Sequence, residues 1–241
     1  MAIKQVGFRD AVELLEGLTA SIPAETTIVS PDDESPVLTQ NLAFSGTYEK
    51  YKVASPWLEA RGLSPDTLKR YEVFQYDNPK RRSQYTGSVM LKIRRWSDSE
   101  CVGYLSRNIG DITPEKPKYC FPRGFAKHLE LFGAEQLRAV HGDALPIRRV
   151  FLVESPFAVM KFGQLGVPAV SPFGWSVSAE QIQLLRQLAK GVQYLPDKNK
   201  RAESLAIAGE LARWMWTRTP DLPDGISDPE EMNVEMIRSM A

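Results

Sequence analysis

The chain has 241 residues, 43% hydrophobic and 25% charged, and its thirty basic and thirty acidic side chains cancel to zero net charge. These are globular values, sufficient for one large core or two modest ones, and the lack of any apolar run of about 18 residues excludes a membrane span and a membrane partner. With only Cys101, Cys120, His128 and His141 available, and no paired spacing among them, a four-ligand structural zinc site and a histidine-based hydrolase triad are also excluded. The first residues lack the apolar core of a secretory signal, so a reduced, cytoplasmic protein is expected.

Apolar positions 8, 11, 12, 15 and 18 predict a short amphipathic helix over 7–18. Residues 21–47 are rich in Ser, Thr, Pro and Asp and read as a linker, ordered where Leu42 and Phe44 can dock. A helix runs from Ser55 to a stop at Gly62, and another starts at Ser64 as N-cap with Pro65 in its first position. Residues 87–96 and 100–107 form a strand pair across the polar turn at 97–99. Residues 116–132 read as a basic and aromatic loop ending in a helix.

After Leu145-Pro146 the pattern alternates: strand 150–154, helix 156–165, strand 167–171, helix 178–189, strand 192–195, helix 200–217. Such alternation implies a parallel sheet covered by helices, with Trp214 and Trp216 on a packing face of the last helix. Charge is segregated along the chain. Residues 80–127 hold eleven Lys/Arg against four Asp/Glu, whereas 202–241 hold three against eight. On charge alone the basic block is as readily a solvated face as a binding one. Its separation from the acidic end suits a chain that grips a polyanion with one part and a metal with another.

Three carboxylates occupy telling places. Glu154 ends one apolar strand, Asp197 ends another, and Asp228 opens the acidic turn Asp228-Pro229-Glu230. At the carboxyl ends of parallel strands, such acids hold divalent metal beside phosphate. Each also has a plain structural reading: Glu154 as a helix N-terminal acid, Asp197 as the cap of the helix near Lys200, Asp228 as a turn or cap before Pro229.

From about residue 54 to 235 these pieces resemble, in order and spacing, the catalytic core of bacterial DnaG-type DNA primases. The matching stretches are Arg61-Gly62-Leu63-Ser64, the strand from Val102 to Arg107, Pro117-Lys118-Tyr119, Phe125-Ala126-Lys127 with Leu131-Phe132-Gly133, the Glu154 and Asp197 strands, and Leu222 to Glu230. The resemblance implies an α/β protein: an α+β N-terminal subdomain followed by a toprim-like parallel sheet. It divides the chain into an N-terminal helix (1–20), a linker (21–47), a basic nucleic-acid-binding subdomain (48–147) and a toprim-like metal and nucleotide domain (148–241). The zinc-ribbon domain of these primases has no counterpart, as the cysteine count requires.

By position, the resemblance makes Glu154, Asp197 and Asp228 catalytic carboxylates that hold Mg²⁺, or Mn²⁺ in its place, with Glu230 beside them. Ala158 and Leu195 stand where two further acids are expected, and Lys198 sets a cation next to Asp197. Arg107, Lys118 and Lys127 fall where the family grips single-stranded template and incoming nucleotide, with Arg94, Arg95, Lys116 and Arg123 nearby. Interleaved Tyr104, Tyr119, Phe121 and Phe125 suit a strand whose phosphates need charge and whose bases stack, although Tyr104, Phe121 and Phe125 read first as core.

The implied function is Mg²⁺-dependent nucleotidyl transfer in DNA replication, joining nucleoside triphosphates into an RNA primer on single-stranded DNA. A helicase or a separate zinc-ribbon protein would be the partner. Ala158 and Leu195 favour an alternative, a catalytically silent primase-derived module that binds single strands beside a replication or mobile-element partner. A toprim nuclease is a third reading, against which the basic subdomain argues.

Overall fold

The computed structural model describes residues 40–46, 48–80 and 83–241. The helix expected over 7–18 and most of the expected linker lie outside these residues. Within 40–46, Phe44 docks as expected: its backbone N–H bonds Cys101 O at 2.7 Å and its ring meets Tyr104 edge-on at 5.6 Å. Leu42 does not dock; it is 75% exposed.

Two short helices open the described core, α1 (Pro56–Glu59) and α2 (Pro65–Arg70). Both follow the sequence reading. Ser55 Oγ accepts from Leu58 N–H, Ser64 Oγ accepts from Thr67 N–H, and each is followed by a proline that needs no donor there. An antiparallel sheet follows, ordered β1 (Lys52–Val53), β2 (Val73–Tyr76), β3 (Val89–Arg94), β4 (Cys101–Arg107) and β5 (Tyr119–Cys120). Only β3 and β4 were expected. Alternate residues divide its two faces: Val89, Leu91, Ile93 and Leu105 enter the main core, while Phe74, Tyr76, Met90 and Tyr104 form an aromatic cluster on the other side.

The basic loop ends in a 3₁₀ turn (Lys127–Leu129) rather than the expected α-helix, and α3 (Ala134–His141) begins just after it. A parallel sheet then forms in the order β7 (Ala169–Val170), β6 (Val150–Val153), β8 (Gly191–Leu195), β9 (Trp216–Arg218). Helices α4 (Pro156–Gln164), α5 (Ala179–Leu188) and α6 (Arg201–Ala212) connect its strands. The last expected helix is corrected: it stops at Ala212, and the chain turns into β9 instead of continuing to 217. The Trp216 ring lies on Gly191 of the neighbouring strand, where a β-carbon would sit 2.8 Å from it. Trp214 and Trp216 are therefore not a helical packing face; they are 47% and 53% exposed.

The two sheets share one apolar cluster. It contains Leu91, Ile93 and Leu105 from the first sheet, and Phe151, Val153 and Leu195 from the second, with Phe157, Val159 and Phe162 of α4 between. Gln164 ties α4 to α2 by accepting from Ser64 N–H at 2.7 Å, and Gly163 admits Tyr71, whose hydroxyl fills the space of a side chain. Residues 222–231 then return along the carboxyl ends of β6 and β8, and α7 (Val234–Met240) seals the end through buried Ile237. Lys198 N–H bonds Ser227 O at 2.8 Å, which fixes the returning segment. Among the described residues, no helix is long and apolar enough to cross a membrane.

One buried acid stands apart from the strand ends. Glu130 is 2% exposed and accepts from Asn41 Nδ2 at 3.1 Å, and burial raises its pKa from 4.5 to about 7. The folded state thus binds more protons than the unfolded chain between those values, and stability falls as pH rises through that window. Urea unfolding across pH 4.5 to 8 is expected to show a loss that Glu130→Gln lessens by about 3 kcal/mol at the upper end. Equal pH dependence in both proteins would contradict the assignment.

Candidate functional site

Each acid is placed by the end of an element. Glu154 follows β6, and its Oε1 accepts the backbone N–H of Asp197 at 3.1 Å, so one carboxylate links two adjacent strand ends. It does not cap α4; Ser155 Oγ takes that place by accepting from Phe157 N–H. Asp197 does not cap α6 either, since only its backbone oxygen accepts, from Lys200 N–H at 2.9 Å. Its Oδ1 is buried and has no hydrogen-bond partner among the described residues. Asp228 does act as a cap: its Oδ1 accepts from Glu230 N–H at 2.8 Å, while Glu231 accepts from Ser227 N–H at 2.8 Å.

These acids feel one another. Burial first, then the charges of Asp228 and Glu154, push Asp197 up to about 7. Burial raises Glu154, the bond from Asp197 N–H opposes it, and Asp228 adds to the rise. Burial and Glu231 raise Asp228 against the pull of Lys118, Arg61 and Lys161. Crowded, half-buried carboxylates of this kind are stabilised by a cation.

Among the described residues, no three His, Cys, Asp or Glu side chains converge as a preformed metal site. The donor set fits a hydrated ion instead. Mg²⁺ commonly takes one or two carboxylates and completes its octahedron with water and substrate phosphate, and the unpaired Oδ1 of Asp197 is an oxygen suited to such an ion. Ala158 and Leu195 offer no oxygen and are fully buried in the shared core.

Cations face the acids across a cleft of about 700 Å³. Arg107 ends β4, lies 5.1 Å from the Tyr119 ring centroid and donates to Asn108 O at 2.9 Å. Exposed Lys118 lies 5.7 Å from the same ring. Arg61 follows α1, stacks 3.9 Å from the Trp57 centroid and pairs with Glu230. Burial and the adjacent Arg107 charge lower the Arg61 pKa. The Nε atoms of Arg61 and Arg107 are buried and have no partners among the described residues, so both guanidinium groups keep donors for a ligand.

Of the residues singled out in the sequence, the cleft lining gathers Arg107, Lys118, Glu154, Asp197, Asp228 and Glu230. It leaves out Arg94, Arg95, Lys116, Arg123, Lys127 and Lys198. Arg94 is held by Glu72, with Nη2 to Oε1 at 2.8 Å, on a stretch where β3 shifts register. Arg95 pairs with Asp98 and donates to Asn41 O at 2.7 Å. Lys116, Arg123 and Lys198 are exposed away from the lining. Lys127 reaches the rim, where its Nζ sits 3.9 Å from the place of a β-carbon on Gly174. Tyr104 is buried core, Phe125 packs half-buried against the core, and Phe121 lines the cleft. Trp57 and Arg61 were missed as site residues; their spacing of four within the helix expected from Ser55 to Gly62 was the available signal.

Two sheets on one core, with acids at parallel strand ends opposite cations around an antiparallel sheet, define an α/β architecture with one cleft between opposite charges. No protein-family model matches the sequence, and no curated protein matches it. Among solved structures, a DnaG primase catalytic domain bound to single-stranded DNA is 26% identical, with 72% of this chain and 64% of that one covered and a TM-score of 0.57. The E. coli primase catalytic core is 23% identical over 76% of this chain and 70% of that one, at 0.62. The zinc-binding and RNA polymerase domains of the Aquifex aeolicus primase are 21% identical over 76% of this chain and 54% of that one, at 0.64. Over about 76% of its length, the chain has the fold of the DnaG primase catalytic core, and the resemblance read from the sequence holds.

The buried positions of Ala158 and Leu195 yield a test. Leu195→Asp places a carboxylate inside an apolar cluster, and urea unfolding is expected to show a loss of about 3 kcal/mol or more, unrelieved by Mg²⁺. Full stability, or recovery on adding Mg²⁺, would mean that position 195 still addresses the cleft.

Proposed function

We propose that this chain is a primase-like protein that binds single-stranded DNA and nucleotide in the cleft. Arg61, Arg107 and Lys118 would take phosphates, and Glu154, Asp197 and Asp228 would hold one hydrated Mg²⁺. The observation that carries this reading is the meeting of those cations and acids across a single cleft. The single-stranded DNA on a structure of the same fold supports it. When bound, Mg²⁺ would supply positive charge to the phosphates of the nucleotide. The chain's own part is to fix the strand by charge-assisted bonds from guanidinium and ammonium groups, and to orient the acids through the Glu154 to Asp197 N–H bond and the Asp228 cap.

Two readings of chemistry follow. Primer synthesis needs both attacking and leaving oxygens stabilised, and it is favoured by the presence of three acids in the lining of one cleft. A binding module without catalysis is favoured by the apolar burial of Ala158 and Leu195, which removes the oxygens for a second ion. We take binding as the primary function and a single-ion site as its accompaniment. A nuclease reading loses to both, because Arg61 after α1, Arg107 at the end of β4 and Lys118 before β5 extend the cleft as a strand-holding surface.

Fluorescence anisotropy with an oligothymidylate is expected to show about tenfold weaker binding by Arg107→Ala and Lys118→Ala, each lowering the salt slope by about one. Glu154→Gln is expected to keep strand binding and lose Mg²⁺-dependent binding of ATP. Template-dependent incorporation of labelled ribonucleotides by the unaltered chain, abolished in Glu154→Gln, would promote the polymerase reading. Absent or salt-insensitive strand binding would sink the proposal.

A further inference from the structure

We propose that Trp175 is a stacking platform for a nucleobase at the rim of the cleft, with Lys200 and Lys127 beside it for the adjoining phosphate. The inference rests on the reading of the cleft given above. Trp175 directly follows Gly174, a cleft-lining residue in the loop after β7, and it is 44% exposed.

The loop is built to hold that ring in place. Ser171 Oγ donates to Glu154 O at 2.6 Å and accepts from Phe173 N–H at 3.1 Å. Tyr194 Oη, from β8, donates to the Trp175 carbonyl at 3.2 Å. Phe173 adopts a φ of 61°, costly for a bulky residue, yet its side chain is buried against Phe121 at 5.4 Å and Phe132 at 6.1 Å. A strained, well-anchored backbone that ends in an indole left 44% exposed is not explained by packing of that ring alone.

The surroundings point to the ligand. Lys200 Nζ lies 5.6 Å from the indole centroid while also pairing with Glu203, and Lys127 Nζ stands by Gly174. A partly exposed indole with one ammonium group over its ring and another beside the preceding glycine, next to a cleft lined by arginines, matches a nucleobase joined to its phosphate. The base can belong to the single strand or to a nucleoside triphosphate, since both present the same ring and charge. A surface cation–π pair between Lys200 and Trp175 alone would leave the anchored, strained loop without a purpose.

The full chain can be tested with labelled oligothymidylate, an abasic strand of equal length, and ATP. Trp175→Ala is expected to weaken oligothymidylate or ATP about tenfold, to leave the abasic strand and the salt slope unchanged, and to be rescued by Trp175→Phe. Loss confined to ATP assigns the base to the nucleotide, and loss confined to the oligomer assigns it to the strand. Wild-type affinity of Trp175→Ala for both, with Arg107→Ala still weakened, overturns the platform and leaves the cleft reading standing. If the unaltered chain binds neither strand nor ATP, the cleft reading falls and the platform with it.

Discussion

The cleft exists because both sheets pack onto one apolar cluster. Leu91, Ile93 and Leu105 from the antiparallel sheet meet Phe151, Val153 and Leu195 from the parallel one, with α4 wedged between. Apolar burial is non-directional, but close packing in a shared core allows few relative placements. That constraint sets the distance between Arg107 at the end of β4 and Glu154 at the end of β6. If the sheets had separate cores, cations and acids could drift apart, and no common ligand would see both.

Electrostatics then works on a fixed frame. Asp197 carries a burial penalty and two like-charged neighbours, while Arg61 is pressed by burial and by Arg107. Among the described residues, the Arg61–Glu230 pair is the one ion pair that bridges the two sides of the cleft directly. A phosphate with a divalent ion would supply both signs at once, a negative group to the arginines and a positive one to the carboxylates. This complementarity is local, and the zero net charge of the chain gives no hint of it.

Much of the frame was legible in the sequence because it depends on local rules. Ser55 and Ser64 announce their helices through a hydroxyl and a following proline, and apolar runs ending in Glu154 and near Asp197 announce buried parallel strands. What escaped depends on partners distant in the chain. Strand β2 has four residues and becomes a strand by pairing with β1 and β3. Trp216 leaves the helical pattern because Gly191, twenty-five positions earlier, offers its ring a bare backbone. Arg94 has the composition of a binding residue, yet Glu72 takes its guanidinium, and Arg61 has the composition of a helix end, yet faces the cleft. Residue type and spacing cannot rank one arginine above another when ion pairing decides.

The ion pair between Arg61 and Glu230 joins groups 169 positions apart. Closing so long a loop costs entropy that only completed packing offsets. As the chain leaves the ribosome, its basic stretch therefore emerges well before the acids that will face it. The cleft is complete only when residues 222–231 have come to rest at the strand ends. Such a site doubles as a report on complete folding, because a chain that has made only its first sheet holds cations but nothing to set against them.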